Sequence, residues 1–166
     1  MPSRVDQLLA LQDVCLKCAM CGLGWQKLDG MIDPHVPGWL DAMSTLPKYM
    51  IIGQNPGRNE AIEKIPFVGN AGKFFDSMLE KHGSVYSITR RMFYITNVVK
   101  CLTYGNKPPT TDNIKNCSPY LDIEVSTIKP KFIVILGGIA FSALCPDLVF
   151  SNNISKVVNT KYNIKA

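Results

Sequence analysis

The sequence predicts an α/β fold in which helices cover both faces of a short central parallel sheet, a three-layer α/β/α arrangement. Three apolar runs of strand length alternate along the chain with segments of helical periodicity. The runs are continuously apolar, which is typical of strands buried on both faces. Because 166 residues with 46% hydrophobic and 19% charged side chains suit one core, we expect a single domain over residues 1–166.

The predicted elements follow one another in a regular order. A helix is expected over residues 5–14, where apolar side chains recur near the 3.6-residue period. The first strand, residues 49–52, stops at Gly53. After it come a helix over residues 70–83, a strand over 93–99, a helix over 111–128, a strand over 131–136 and a short helix over 138–144. Asn70 and Thr111 are the expected N-caps of the first two of these later helices.

The connection between the first helix and the first strand is rich in glycine and proline as far as Pro47. Its length, about 25 residues, is unusual for a connection inside a compact domain. We therefore expect this segment to cover another part of the fold.

Glycine and polar residues mark the point at which each predicted strand ends: Gly53-Gln54-Asn55-Pro56-Gly57, Asn97 and Gly137-Gly138. Ligands of parallel α/β sheets bind in the crevice outside the carboxyl ends of the strands. The sequence therefore predicts a ligand site at this edge of the sheet.

The six cysteines favour a metal site. Residues 1–10 contain no export signal, so we expect a cytoplasmic protein, in which structural disulfides are rare and thiolate ligation of metal is favoured. Cys15 with Cys18, and Cys101 with Cys117, supply two pairs of thiols from distant segments. A zinc knuckle, a redox pair and small buried hydrophobes remain the alternatives. Cys145, in an apolar setting, is expected in the core.

The charge balance suits a polyanionic partner without requiring one. The chain has 18 Lys and Arg against 13 Asp and Glu, a formal net charge of +5. Its apolar runs are too short to cross a bilayer, so no membrane association is expected. We expect the protein to be a monomer.

Three blocks occur in an order that resembles the uracil-DNA glycosylase superfamily. They are residues 53–57 with the Pro-Phe-Val-Gly-Asn-Ala-Gly run at 66–72, then residues 97–101, then residues 135–137. The chain is most similar to the iron-sulfur branch, family 4, in its leading Cys-x-x-Cys and in the 15 residues that separate Cys101 from Cys117.

The resemblance implies an enzyme of DNA repair that hydrolyses the N-glycosidic bond of uracil, or of a related deaminated base. Its partner would be uracil-containing DNA, single-stranded or mispaired. The resemblance also implies a [4Fe-4S] cluster held by Cys15, Cys18, Cys101 and Cys117, with Cys21 at a position where the family varies. Four thiolates also suit tetrahedral zinc, which remains the alternative cofactor.

The same resemblance implies that Phe67, Asn97 and Gly53 bind the base. Phe67 would stack on the extruded base. Asn97 would pair with the amide edge of uracil, because one carboxamide both donates and accepts. An ordinary core phenylalanine and a strand-end cap are the alternative interpretations.

Catalysis is implied for the loop after the first strand. Asn55 resembles the residue with which the mismatch-specific branch positions the attacking water. Gln54 stands where family 4 has a glutamate, and its carboxamide can orient water without acting as a base. Glu60 matches an acidic position of family 4 and would assist, although an exposed glutamate with no catalytic task is the alternative.

One departure from the superfamily bears on activity. Its members carry a His-Pro-Ser or similar segment after the last strand, whereas the only histidines here are His35 and His82, each expected at the surface. The alternative function is therefore a catalytically weak or inactive protein of this fold that binds DNA or another protein.

Basic residues close to the strand-end loops are expected to contact DNA phosphates. By position they are Arg58, Lys73, Lys100 and Lys107. Affinity that rests on such contacts falls as the salt concentration rises.

Overall fold

A computed structural model describes residues 2–25, 32–40 and 46–166. Its regular elements are helix α1 (Arg4–Cys15), strand β1 (Tyr49–Gly53), helices α2 (Arg58–Glu63) and α3 (Asn70–Met78), strand β2 (Phe93–Asn97), helix α4 (Thr111–Ile128), strand β3 (Phe132–Ile135) and helix α5 (Gly138–Leu144). Every predicted element is present within these ranges, and α2 is an addition. None of the described helices is both long and apolar enough to cross a membrane.

The three described strands form one parallel sheet with β1 at its centre. Gly53 is paired with Asn97 of β2, and Ile52 is paired with Ile135 of β3. All three strands therefore end at the same edge, which confirms the predicted parallel sheet.

Helices cover both faces of this sheet because successive strand residues point to opposite sides. Met50, Ile52 and Tyr94 point to one face, where they pack with apolar residues of α1, α4 and α5. Ile51 and Ile95 point to the other face, where the partners come from α3 and the turn after it. The three-layer α/β/α prediction is confirmed.

The caps at the helix starts explain why two predicted boundaries are off by one residue. Helix α4 is capped by Thr110, whose hydroxyl accepts from the backbone N–H of Asn113 at 3.1 Å, and not by Thr111. Helix α3 begins after Gly69, which has extended backbone, so Asn70 is its first residue and not its cap. Helix α3 itself ends at Met78, and a wider helical turn over Leu79–Gly83 carries the chain to the predicted end.

Part of the long connection covers the outer edge of β2, as expected. Trp39 donates its backbone N–H to the carbonyl of Ile95 at 2.8 Å and accepts one in return at 3.1 Å. Further along, Val36 N donates to Lys100 O at 2.7 Å. Residues 26–31 and 41–45 of this predicted connection lie outside the described residues.

Candidate active site and cysteine cluster

A cavity of about 840 Å³ opens at the carboxyl ends of the strands. Gly53, Asn97 and Leu136 bring the three strand ends into its lining. The loop over residues 54–57, the first residues of α2 and one side of α3 complete most of its wall. The cavity lies at the edge where the sequence predicts a ligand site.

Phe67 and Asn97 converge over Gly53. A Cβ atom built on Gly53 would lie 2.6 Å from Oδ1 of Asn97 and 2.6 Å from Cζ of Phe67. Both side chains therefore reach across the same point of the cavity floor, and a larger residue at position 53 would have to displace them. The structure brings together the three residues expected to bind a base.

Phe67 has a left-handed backbone, with φ at +58°. This conformation costs a residue with a Cβ about 1–2 kcal/mol, so neighbouring groups must hold it. Arg90 does so, because Nη2 of its guanidinium donates to the carbonyls of Pro66 and Phe67 at 3.0 Å each. Nη1 of Arg90 donates to Oδ1 of Asp76 on α3 at 2.8 Å, which anchors the guanidinium. Sequence reasoning missed Arg90, since nothing in its local pattern distinguishes it from Arg91.

Gln54 and Asn55 are linked to each other in the lining of the cavity. Nε2 of Gln54 donates to Oδ1 of Asn55 at 2.8 Å, and Nδ2 of Asn55 donates to the carbonyl of Pro56 at 3.1 Å. Both side chains are partly exposed. Because a carbonyl oxygen has two lone pairs, Oδ1 of Asn55 retains the capacity to accept a hydrogen bond from water.

Glu60 is buried, with 8% of its surface exposed, so the interpretation of an exposed glutamate is wrong. Its Oε1 accepts from the backbone N–H groups of Val68 at 3.1 Å and Gly69 at 2.7 Å. Its Oε2 accepts from Gly57 N at 3.1 Å. The carboxylate therefore ties the loop after β1 to the segment that carries Phe67. Its position at the third residue of α2, opposite two glycine-containing turns, is the sequence signal for this role.

Of the four predicted phosphate contacts, three lie at or near the cavity and are exposed. Arg58 lines it, Lys73 is on α3 next to lining residues, and Lys107 follows the lining residue Asn106. Lys100 differs, because only 1% of it is exposed.

The prediction that Lys100 contacts phosphate is wrong, since its ammonium group is bonded inside the core. Nζ of Lys100 donates to Oε2 of Glu124 at 2.7 Å, to Oγ1 of Thr96 at 2.7 Å and to the carbonyl of Asn97 at 2.5 Å. Glu124 also accepts from the hydroxyl of Tyr94 at 3.1 Å. A buried ammonium group needs such partners, and they leave it no route to a ligand at the surface.

Five cysteines are gathered where α1 meets the segment after β2. Cys15, Cys101 and Cys117 are buried together with Leu23, Val99 and Tyr120, and Cys18 and Cys21 pack against this group. We call these five residues the cysteine cluster. It contains the four predicted ligands together with Cys21, whereas Cys145 lies in the main core as expected.

The thiols of the cysteine cluster lie in apolar surroundings. Burial raises the pKa of Cys15 to about 12 and that of Cys117 to about 11, and it also raises the pKa of Cys101. Sγ of Cys117 accepts from the backbone N–H of Lys100 at 3.2 Å. Within the described residues, no three or more His, Cys, Asp or Glu side chains converge as closely as a metal ion requires. The donor set suits iron-sulfur or zinc chemistry, and the thiols are assembled without being in ligand geometry.

The two histidines lie away from the cavity lining. His35 is buried, not at the surface as expected, and its Nδ1 is 2.5 Å from Oδ1 of Asp33. Its Nε2 is 2.8 Å from the carbonyl of Cys18, so His35 braces the segment that carries the cysteines. His82 is exposed, as expected.

Comparisons with known proteins identify the family of this chain. A sequence model of the Uracil DNA glycosylase superfamily matches residues 41–163. The type-4 uracil-DNA glycosylase of Sulfurisphaera tokodaii is 38% identical over 135 residues, which are 80% of this chain and 56% of that protein. The type-4 enzyme of Saccharolobus solfataricus is 36% identical over 133 residues, with the same coverage of 80% and 56%.

The chain thus spans little more than half the length of these two relatives. The type-4 uracil-DNA glycosylase of Archaeoglobus fulgidus is 33% identical over 152 residues, which are 90% of this chain and 70% of that protein. Because the superfamily match covers most of the chain and this relative aligns over most of both proteins, the chain belongs to the uracil DNA glycosylase superfamily.

Proposed function

We propose that this protein removes uracil, or a related deaminated base, from DNA by hydrolysis of the N-glycosidic bond. The observation that carries the proposal is the convergence of Phe67 and Asn97 over Gly53 at the end of the central strand. The curated relatives named uracil-DNA glycosylases support it.

Base recognition would begin with extrusion of the target nucleotide from the base stack, which costs a few kcal/mol. Stacking of the base on Phe67 offsets about 1–3 kcal/mol of that cost. The Asn97 carboxamide can donate to a uracil carbonyl oxygen and accept from the adjacent ring N–H. Cytosine presents the opposite polarity at part of this edge, so Asn97 would favour uracil.

Water attack is assigned to the loop after β1. Asn55 is held by Gln54 and by the Pro56 carbonyl, which fixes the direction in which its oxygen can accept from water. The charge that develops on the departing base needs donors, and the carboxamide of Asn97 would supply one. Glu60 acts as a positioning residue, because its carboxylate holds the loop against the segment that carries Phe67.

We further propose that the cysteine cluster holds a [4Fe-4S] centre through Cys15, Cys18, Cys101 and Cys117, with zinc as the alternative. When bound, the centre would stabilise the fold, since it would join α1 to segments more than eighty residues away in the chain. Cys21 is a fifth thiol at the same place. Iron, sulfide and zinc analysis of the purified protein separates the two cofactors.

The proposed partner is uracil-containing DNA, single-stranded or mispaired, bound by a monomer. Arg58, Lys73 and Lys107 are the proposed phosphate contacts, and they are exposed on segments at or beside the cavity. Binding through such contacts weakens as the salt concentration rises.

A second candidate function is DNA binding without turnover. It is favoured by the engagement of the Glu60 carboxylate with three backbone N–H groups, and by the lack of a histidine among the described residues that line the cavity. Loss of one well-placed donor raises a barrier by about 2.7–4 kcal/mol, which slows a reaction without abolishing it.

One assay separates the two functions. The protein is incubated with a labelled uracil oligonucleotide, and alkali then cleaves the strand at abasic sites. Strand cleavage that Asn55→Ala abolishes while DNA affinity is retained supports the glycosylase. Intact strands at high protein excess, together with specific binding of the uracil strand, support the second function.

A further inference from the structure

Helix α3 carries two apolar stripes that face different surroundings. Phe75 and, just after the helix, Leu79 pack against the sheet. Phe74 and Met78 line the cavity, as Phe75 also does, but they do not pack against the sheet and are 67% and 40% exposed. Because residues four apart lie on the same side of a helix, these two form one continuous wall, which we call the α3 wall.

The α3 wall lies beyond the position expected for the extruded base. Gly53 and Asn97 are buried at the inner end of the cavity, whereas Phe74 is exposed at the outer part. The volume of about 840 Å³ is several times what one nucleobase needs, so the same cavity has room for a neighbouring group. A nucleotide joined to the extruded base can therefore reach the outer part of the same cavity.

The charged and aromatic side chains nearby indicate which chemical group would occupy the outer part of the cavity. Arg58 lines the same cavity, and Lys73 is exposed next to Phe74 on α3, so one basic side chain lies in the lining and another lies beside it. An exposed aromatic ring beside basic residues is the arrangement with which proteins bind unpaired bases along a phosphate backbone. A base within a DNA duplex is already stacked on its neighbours. It can stack on Phe74 only if it leaves the double helix.

Resting on the proposed function, we propose that the α3 wall is a second base-binding subsite, at which Phe74 stacks on the base next to the uracil in a single DNA strand. Met78 extends the apolar contact along the same side of α3. The subsite adds affinity for single-stranded substrate and takes no part in bond cleavage. The subsite should accept any of the four bases, because every base has a face that can stack on an aromatic ring.

The test is a cycle that combines a protein change with a DNA change. Wild type and Phe74→Ala are assayed for kcat/KM on a single strand with normal bases beside the uracil, and on a matched strand with abasic analogues at both neighbouring positions. Tyr86→Ala serves as the control, because Tyr86 is an aromatic residue 76% exposed outside the cavity lining. Thermal unfolding of each variant checks that the exposed Phe74 side chain does not support the fold.

We expect Phe74→Ala to lower kcat/KM roughly five- to one-hundred-fold on the normal strand, through KM, and to leave the abasic-flanked strand unchanged. Tyr86→Ala should change neither value. Equal losses on both strands, no loss on either, or a larger loss on mispaired duplex than on single strands would overturn the proposal.

Failure of the proposed function gives a different result. Wild type that releases no uracil from either strand argues against the glycosylase activity. The affinities of wild type and of Phe74→Ala for the normally flanked and the abasic-flanked strand are then measured by fluorescence anisotropy of labelled strands. A loss of affinity in Phe74→Ala confined to the normally flanked strand still supports the subsite, and no such loss removes it.

Discussion

The cavity and the cysteine cluster share the segment over residues 97–101, but they are held together in different ways. Around the cavity, side chains are fixed by hydrogen bonds to the backbone: Glu60 accepts from three N–H groups, and Arg90 donates to two carbonyls. In the cysteine cluster, sulfur atoms are packed among apolar side chains with Lys100 N as a donor to Cys117. The side chains around the cavity are thus held by hydrogen bonds, whereas the cysteine cluster is held by apolar packing, to which the proposed centre would add.

Lys100 connects the two regions. Its backbone N–H donates to Cys117, and its ammonium group donates to the carbonyl of Asn97. A change at the cysteines should therefore act mainly on stability, a change in the cavity mainly on activity, and a change at Lys100 on both.

Loss of a buried cysteine ligand should have the largest effect. If the proposed centre is bound, we expect Cys101→Ala to release it and to lower stability by more than about 5 kcal/mol, because binding of a structural metal centre is part of the folding free energy. Cys145→Ala is the matched control, since Cys145 is equally buried but lies in the main core. Metal content per chain and thermal unfolding measure the outcome, and full metal content in Cys101→Ala would contradict it.

The choice among five thiols sharpens this prediction. Cys15→Ala should lose the centre, and Cys21→Ala should keep it. If Cys21→Ala loses the centre and Cys15→Ala keeps it, Cys21 is a ligand in place of Cys15. Cys21 packs against the same buried cysteines.

The buried ion pair should give the next largest effect. Glu124→Gln leaves the ammonium group of Lys100 without its charged partner, so we expect a loss of about 3–5 kcal/mol in the free energy of unfolding. The double variant Lys100→Met/Glu124→Leu should lose less than either single change, because it removes both buried charges. Urea unfolding measures the free energy of unfolding of each variant. If Glu124→Gln unfolds at the same urea concentration as the wild type, the ion pair contributes little to stability.

The sequence predicts the order of strands and helices well, because these elements depend on the composition of short local segments. Continuous apolar runs identify the three strands, and parallel pairing then places Gly53 and Asn97 at one edge. Helix α2 was missed because its six residues are too few for a helical period. Asn70 and Thr111 resemble caps, yet Gly69 and Thr110 hold those positions, a shift of one residue that capping preferences do not resolve.

The site is less predictable where it depends on distant partners. The left-handed backbone of Phe67 is set by Arg90, which is 23 residues away. Lys100 looks like a surface lysine in sequence, and only the approach of Glu124 on α4 explains its burial. The burial of His35 likewise depends on the carbonyl of Cys18.

Removal of the Arg90 contacts that hold the segment around Phe67 should have a moderate effect, mainly on activity. We expect Arg90→Ala to lower kcat/KM about tenfold while stability falls by about 1–2 kcal/mol, because the left-handed backbone loses its two carbonyl contacts. Arg90→Lys keeps the charge beside Asp76 but lacks the planar fork, so it should recover only part of the activity. Wild-type activity in Arg90→Ala would show that Phe67 holds its position without this contact.

Removal of one exposed lysine should have the smallest effect. Lys73→Ala should weaken DNA binding uniformly across sequences and reduce the slope of log affinity against log salt by about 1. Lys156→Ala, an exposed lysine in the carboxyl-terminal segment, is the control. An unchanged slope would remove Lys73 from the phosphate contacts.

The Gly53→Ala variant tests most directly whether Phe67 and Asn97 hold the base over Gly53. The added methyl group would lie 2.6 Å from both Phe67 and Asn97, and each of these atoms is at the far end of a side chain that can move aside. We expect a loss of at least about a hundredfold in kcat/KM for uracil removal, with thermal unfolding within a few degrees of wild type. Uracil removal at the wild-type rate in Gly53→Ala would contradict the claim that Phe67 and Asn97 hold the base over this residue.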